Sequence, residues 1–294
     1  MNYRLTSLMS TISNSFCDFT LDIAVNKFNK YRILFYSTII AFLLQIVFLF
    51  FVGISVTWIS IPIIALYGIV TLFGYMSFVK ALQYTPLVLV ALIEVGTLFF
   101  YLFVDTALGY IELTPFFILT FIIFVSSVIW FIIETNKTKE QIKLKTVKTI
   151  GIAFCLLIVL FYGLGPYIIR WASTNGANET AINIGYYFIA IPFFLIMLKK
   201  TDEKDDPSSS KASNKIRMTI IKFVLLIGIL EAFYYFFQTL SFMHESPVIV
   251  SLIAELRVFI LVLLAVIFKT DKMTLKKWIA LIIGVLSVAV IYFN

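Results

Sequence analysis

Ten stretches of about twenty mostly apolar residues, parted by short polar breaks, make up nearly the whole chain: 5–26, 32–54, 61–84, a stretch starting at Pro86, 114–134, 147–171, 180–198, 216–242, 247–268 and 274–293. An α-helix rises about 1.5 Å per residue, so ~20 residues cross about 30 Å of hydrocarbon. Apolar positions run all round these helices instead of forming one stripe, and no water-soluble core could cover them. The expected fold class is an all-α membrane protein with ten transmembrane helices.

The first stretch departs from the pattern, with Ser7, Ser10, Thr11, Ser13, Asn14, Ser15, Asp18 and Asp22 along it. A helix so polar has to line an interior or a wet cavity. Gly163, Gly165 and Pro166 interrupt the sixth helix and predict a kink. The hydrophilic run at 199–217 reads as a mobile loop, and 137–148 as a basic linker. Placing Pro86 on Pro247 puts Glu94 on Glu255, so an apolar helix with a proline at its start and a carboxylate two turns in occurs twice. Residues 1–136 and 149–294 are thereby expected to be two inverted five-helix repeats. Carriers with their site where repeats meet are built in this way.

Charge adds an orientation. The connections after the first, fifth, seventh and ninth helices hold three, five, six and four Lys or Arg, while the other connections and the N-terminus hold only Arg4 and Arg170. The positive-inside rule puts those odd connections in the cytoplasm and both termini outside. The net charge of +7 therefore reports orientation and not a nucleic-acid partner. Cys17 and Cys155 fall inside helices without metal or redox spacing and read as packing residues. No cleavable signal stands out, because Asn14, Asp18 and Asp22 break the N-terminal run. The chain reads as a multi-pass protein of the cell membrane, a monomer or homodimer.

The candidate chemistry lies in ionisable groups at membrane depth, each costing at least ~2.5 kcal/mol unless it has a partner, a wet cavity or a proton. Within the spans stand Asp18, Asp22, Glu94, Glu231 and Glu255, with Asp105 near a helix end, against only Lys80 and Arg257. The excess carboxyls either hold protons or await a cation that comes and goes. Asp18, Glu94, Glu231 and Glu255 are the candidates for substrate binding or proton coupling. Arg257 is the candidate internal ion-pair partner, with Glu231 as one acid it could neutralise. Lys80 reads as snorkelling, Asp22 as an interfacial acid within reach of Lys27, and His244 as an interfacial residue. Of fifteen tyrosines, Tyr75, Tyr162, Tyr234 and Tyr235 fall inside spans, where a hydroxyl seeks a partner and an aromatic face beside a carboxylate suits an organic ammonium. HExxH, GxSxG, CxxC and GxxxxGK[ST] are all missing from the sequence, so neither an enzyme nor a cofactor or metal is expected.

The five-helix duplication, the tight QYTP turn, the GYIELTP connection and the C-terminal DKMTLKKWIALIIGVLSVAVI together resemble the drug/metabolite transporter superfamily, in its EamA-like branch of ten-helix carriers. Family members carry an acid or serine followed by proline in the middle of the fourth and ninth helices. Glu94 and Glu255 match the acid, but Val95 and Leu256 replace the proline, which argues against the helix break the family would use for gating. The resemblance implies a secondary active transporter working by alternating access. The acids favour an amine or organic cation as solute, with proton coupling open. Export of neutral amino acids or metabolites driven by protons is the alternative, and a non-transporting assembly or lipid-handling component is the alternative from another class.

Overall fold

The computed structural model describes residues 3–107, 114–139, 147–202, 214–245 and 247–290. Most of the GYIELTP connection, the centre of the basic linker, the greater part of the 199–217 loop and the last residues of the final helix lie outside them. The described chain is helical: α1 (Tyr3–Lys27), α2 (Lys30–Val52), α3 (Ser60–Tyr84), α4 (Leu87–Glu94), α5 (Thr97–Ala107), α6 (Pro115–Lys139), α7 (Thr149–Thr174), α8 (Glu179–Asp202), α9 (Asn214–His244), α10 (Pro247–Ala254), α11 (Leu256–Ile267) and α12 (Leu275–Ala289). Counting α4 with α5 and α10 with α11 gives ten helices. Eight of the ten are long and apolar enough to cross a membrane. The polar α1 and the short described part of α12 are outside that group, so the expectation of ten spans holds here for eight.

Residues group into two compact units, Met1–Phe73 with Gly165–Ser246 and Gly74–Leu164 with Pro247–Asn294, called here the first and second unit. Each unit draws on both halves of the sequence. The boundaries fall inside α3 and α7, and α7 runs unbroken past Gly163, Gly165 and Pro166.

In the first unit α1 turns its polar side inward and its apolar side out. Leu5, Leu8, Met9, Ile12 and Phe16 are exposed, while Ser7, Ser10, Thr11, Ser15 and Asp18 are buried. This inversion of a soluble amphipathic helix suits a lipid solvent, which accepts hydrocarbon but not hydroxyls. Thr11, Ser15 and Thr20 spend their hydroxyls on carbonyls one turn back. The rest of the polar edge runs antiparallel along α9: Thr6 Oγ1 bonds Ser241 Oγ at 2.7 Å, Ser10 Oγ donates to Tyr234 O at 3.4 Å, and Cys17 Sγ donates weakly to Ile227 O at 3.9 Å.

Helix α2 also packs on α9, and its ends explain where it stops. Asn29 caps it by accepting from Tyr31 N and Arg32 N, and Gly53, at φ 79°, takes the chain out through a conformation that a side chain disfavours. The following loop is tied to Asn178, which accepts from Ser55 N at 3.2 Å and donates to Gly53 O at 3.1 Å. At the end of α9, Arg170 donates to the carbonyls of Phe242 and Glu245 at 3.3 and 2.6 Å, satisfying oxygens that a helix C-terminus leaves without donors.

Close approach of α2 and α9 depends on Gly228. A Cβ there would sit 2.7 Å from Ser37 O and 2.7 Å from Ile40 Cβ, the first of them backbone that cannot step aside. Small residues perform this service in membrane helix pairs. Gly228→Val is expected to lower stability by about 1–3 kcal/mol through overpacking. Thermal denaturation in detergent checks it, with Gly165→Ala as a control whose new Cβ would have its nearest neighbour 4.0 Å away.

Candidate functional site

In the second unit the two helices that carry Glu94 and Glu255 are both discontinuous, and each breaks at its carboxylate. Helix α4 ends on Glu94 and α5 begins at Thr97. Across this gap Gly96 N bonds Ile93 O at 2.9 Å and Leu98 N bonds Val95 O at 3.1 Å, so the backbone tightens to an i→i+3 register. Gly96 permits that tightening: a Cβ there would lie 2.8 Å from Ile93 O. Helix α10 ends at Ala254, Glu255 sits at φ −68° and ψ −15°, and Val258 N bonds Glu255 O at 3.1 Å before α11 continues. The missing prolines had argued against a break. Tight turns make one in both places, and at the first of them a glycine supplies what a proline would otherwise impose.

Arg257 lies two residues beyond the second break, and its guanidinium forms a salt bridge with Glu94. Arg257, Glu94 and Glu255 are all buried. Glu255 lies in the fields of both Arg257 and Glu94. The Tyr101 hydroxyl shares side-chain hydrogen bonds with Ser251 and Thr97 and faces both carboxyls. Two carboxyls thus lie in the field of one guanidinium, which bonds to Glu94. Arg257 pairs with Glu94; Glu231 has no hydrogen-bond partner for either carboxyl oxygen among the described residues.

Glu231 belongs to the first unit, on α9. It is 1% exposed, and both its carboxyl oxygens lack a hydrogen-bond partner. Tyrosines surround it. Tyr186 and Tyr187 of α8 lie in its field. The Tyr186 ring is 4.9 Å from those of Tyr187 and Tyr235, and Tyr234 is 4.9 Å from Tyr235. From α1, Cys17 lies in the fields of both Glu231 and its own neighbour Asp18. From α2, Gln45 Nε2 donates to Ala232 O at 2.9 Å, beside Glu231. Further along the same seam, Thr239 Oγ1 donates to Asn183 Oδ1 at 2.8 Å, and Tyr67 stands against Thr239 and Thr71.

Residues 149–293 match the sequence profile of the EamA-like transporter family. Over that stretch the chain is similar to the EamA-like transporter family of the drug/metabolite transporter superfamily. A search of curated proteins found no match. The EamA-like similarity, together with eight helices long and apolar enough to cross a membrane, marks a multi-pass integral membrane protein in the bilayer and implies a small-molecule solute.

Among the residues singled out in the sequence of this EamA-like chain, Glu94 and Glu255 come together in the second unit, while Asp18 and Glu231 lie in the first and each acts on Cys17. Tyr234 and Tyr235 join the Glu231 group. Tyr75 and Tyr162 belong to the second unit, where Tyr162 covers Gly74. Asp22 accepts from Asn26 Nδ2 at 2.8 Å. His244 stacks on Tyr3 at 4.4 Å, as an interfacial ring would. Lys80 and Asp105 are part-exposed. Tyr67, Tyr101, Asn183, Tyr186, Tyr187 and Gln45 were missed. The doublet Tyr186–Tyr187 mirrors Tyr234–Tyr235 in the sequence and was the one available signal. Among the described residues no three His, Cys, Asp or Glu side chains are placed to hold a metal ion.

Proposed function

We propose that the protein is a secondary active transporter of a small organic solute, an amine or organic cation, working by alternating access between inverted five-helix repeats at 1–136 and 149–294. One observation carries this reading: at two broken helices, Glu94 and Glu255 share the single guanidinium of Arg257, and Arg257 bonds Glu94. Glu255 is left needing a cation, and a solute ammonium supplies it. Discontinuous helices are where carriers hold their cargo, since the interrupted backbone offers polar groups at a depth where lipid offers none. Tyr101, set against Ser251 and facing both carboxyls, contributes an aromatic wall for an organic cation. The match beginning at residue 149, where the second repeat was expected to start, supports the duplicated plan. Asp18 and Glu231 of the first unit then serve the driving cation.

The test is flux of a labelled amine into proteoliposomes holding the purified protein. Removing one charge of a buried pair costs about 2 kcal/mol or more, roughly thirtyfold in affinity. Glu255→Gln should therefore need at least that much more amine for half-maximal uptake. Uptake that Glu255→Gln leaves unchanged, or transport of neutral solutes with which amines do not compete, would overturn the reading.

A further inference from the structure

In the first unit several buried oxygens are left without hydrogen-bond partners. Both oxygens of Glu231, the Tyr187 hydroxyl and the side-chain oxygen of Gln45 are without hydrogen-bond partners, and Tyr187 and Gln45 are themselves fully buried. Tyr187 lies in the field of Glu231, and Gln45 is anchored to the carbonyl next to it. Buried polar atoms are almost always satisfied, so a group of them left over in one place calls for something to sit among them. Oxygens that share one hard cation at about 2.4 Å lie roughly 3.4–4.8 Å from each other, mostly beyond hydrogen-bond range yet within mutual electrostatic reach.

We propose that this is an occluded Na⁺ site, with the Glu231 carboxylate, the Tyr187 hydroxyl and the Gln45 carbonyl oxygen among its ligands, and that Na⁺ is the ion coupled to solute movement. A proton would occupy one oxygen of Glu231 and leave the phenol and the amide oxygen as they are, whereas a coordinated cation serves all of them at once. A monovalent ion fits the charge. No three His, Cys, Asp or Glu side chains are placed to hold a metal ion among the described residues, and a divalent ion would need more than Glu231 supplies. The ligand set is all oxygen, the preference of a hard cation. The site deepens the carrier reading by naming its driving ion, and rests on that reading only for the coupling.

The test is thermal unfolding of the full-length protein in detergent, with Na⁺ exchanged for K⁺ or N-methylglucamine at constant ionic strength. A ligand bound only by the folded state raises the melting point by mass action, so the wild type should melt several degrees higher in Na⁺. Glu231→Gln should lose the response, and Tyr187→Phe, which keeps the ring, should shift its midpoint to at least tenfold higher Na⁺. Melting points equal in Na⁺ and K⁺, or a Na⁺ response unchanged in Glu231→Gln, would overturn the site. Where Glu231→Gln does not fold, Tyr187→Phe decides, an unaltered midpoint overturning it. Glu255→Gln keeps the Na⁺ response whatever happens to amine flux, so failure of the ion site and failure of the amine site appear separately.

Discussion

Arg257→Gln is expected to cost about 3–5 kcal/mol of folding stability, because it strands the buried Glu94 carboxylate and withdraws the nearest cation from Glu255. The loss comes from the charge left behind and not from the worth of the pair. Glu94→Gln/Arg257→Gln, which removes both partners, should therefore recover most of it. Urea or thermal denaturation in detergent of the wild type, the two single variants and the double variant closes the cycle. A double variant as unstable as the sum of the singles would show that Arg257 holds the breaks through other contacts. The separation also bears on transport: if the pair only steadies the two discontinuous helices, the double variant regains its fold and still depends on Glu255 for amine flux.

The helices were legible because the membrane imposes a length and an apolar surface that composition alone satisfies. Boundaries came within a few residues wherever a cap was visible, as at Asn29, and less well where a helix ran into a charged tail, as α8 does through Lys199 and Lys200 to Asp202. The breaks were misjudged for a physical reason. A proline forces a helix to open, but an i→i+3 tightening at Gly96 or Glu255 leaves no obligatory residue type to find. The four acids were visible because carboxyls are costly in lipid. Their partners were not, since Arg257 meets Glu94 from a segment more than 150 residues away in sequence, and nothing in either segment names the other. The tyrosines were obscured by number: among fifteen, only packing separates Tyr187, buried against Glu231, from the exposed Tyr36.

Lys277 is the residue the charge pattern described least well. Counted with Lys269, Lys272 and Lys276 as a solvated positive end, it is instead 1% exposed. Its ammonium reaches back across the turn before α12 to Asp271 Oδ1 and Lys272 O, each at 3.0 Å, and stands 5.7 Å from the centre of the Phe131 ring on α6. Asp271 Oδ1 also accepts from Lys272 N at 2.7 Å, so a single carboxylate folds the turn and neutralises the buried cation. The chain enters this turn through Lys269 at φ 55°, a conformation that disfavours a side chain and persists when surrounding contacts fix it. Asp271→Ala should lower stability on the order of 3 kcal/mol, the cost of a buried charge without its partner, with Lys272 O and the Phe131 ring holding the loss to the lower end of the range. Asp271→Asn/Lys277→Met removes both charges and should return close to wild type, since an apolar chain fills the space beside Phe131. The pair of melting points decides the matter: a small loss in Asp271→Ala would mean that Lys277 escapes to water once released, and the buried position would then be a resting place and not a tether for α12.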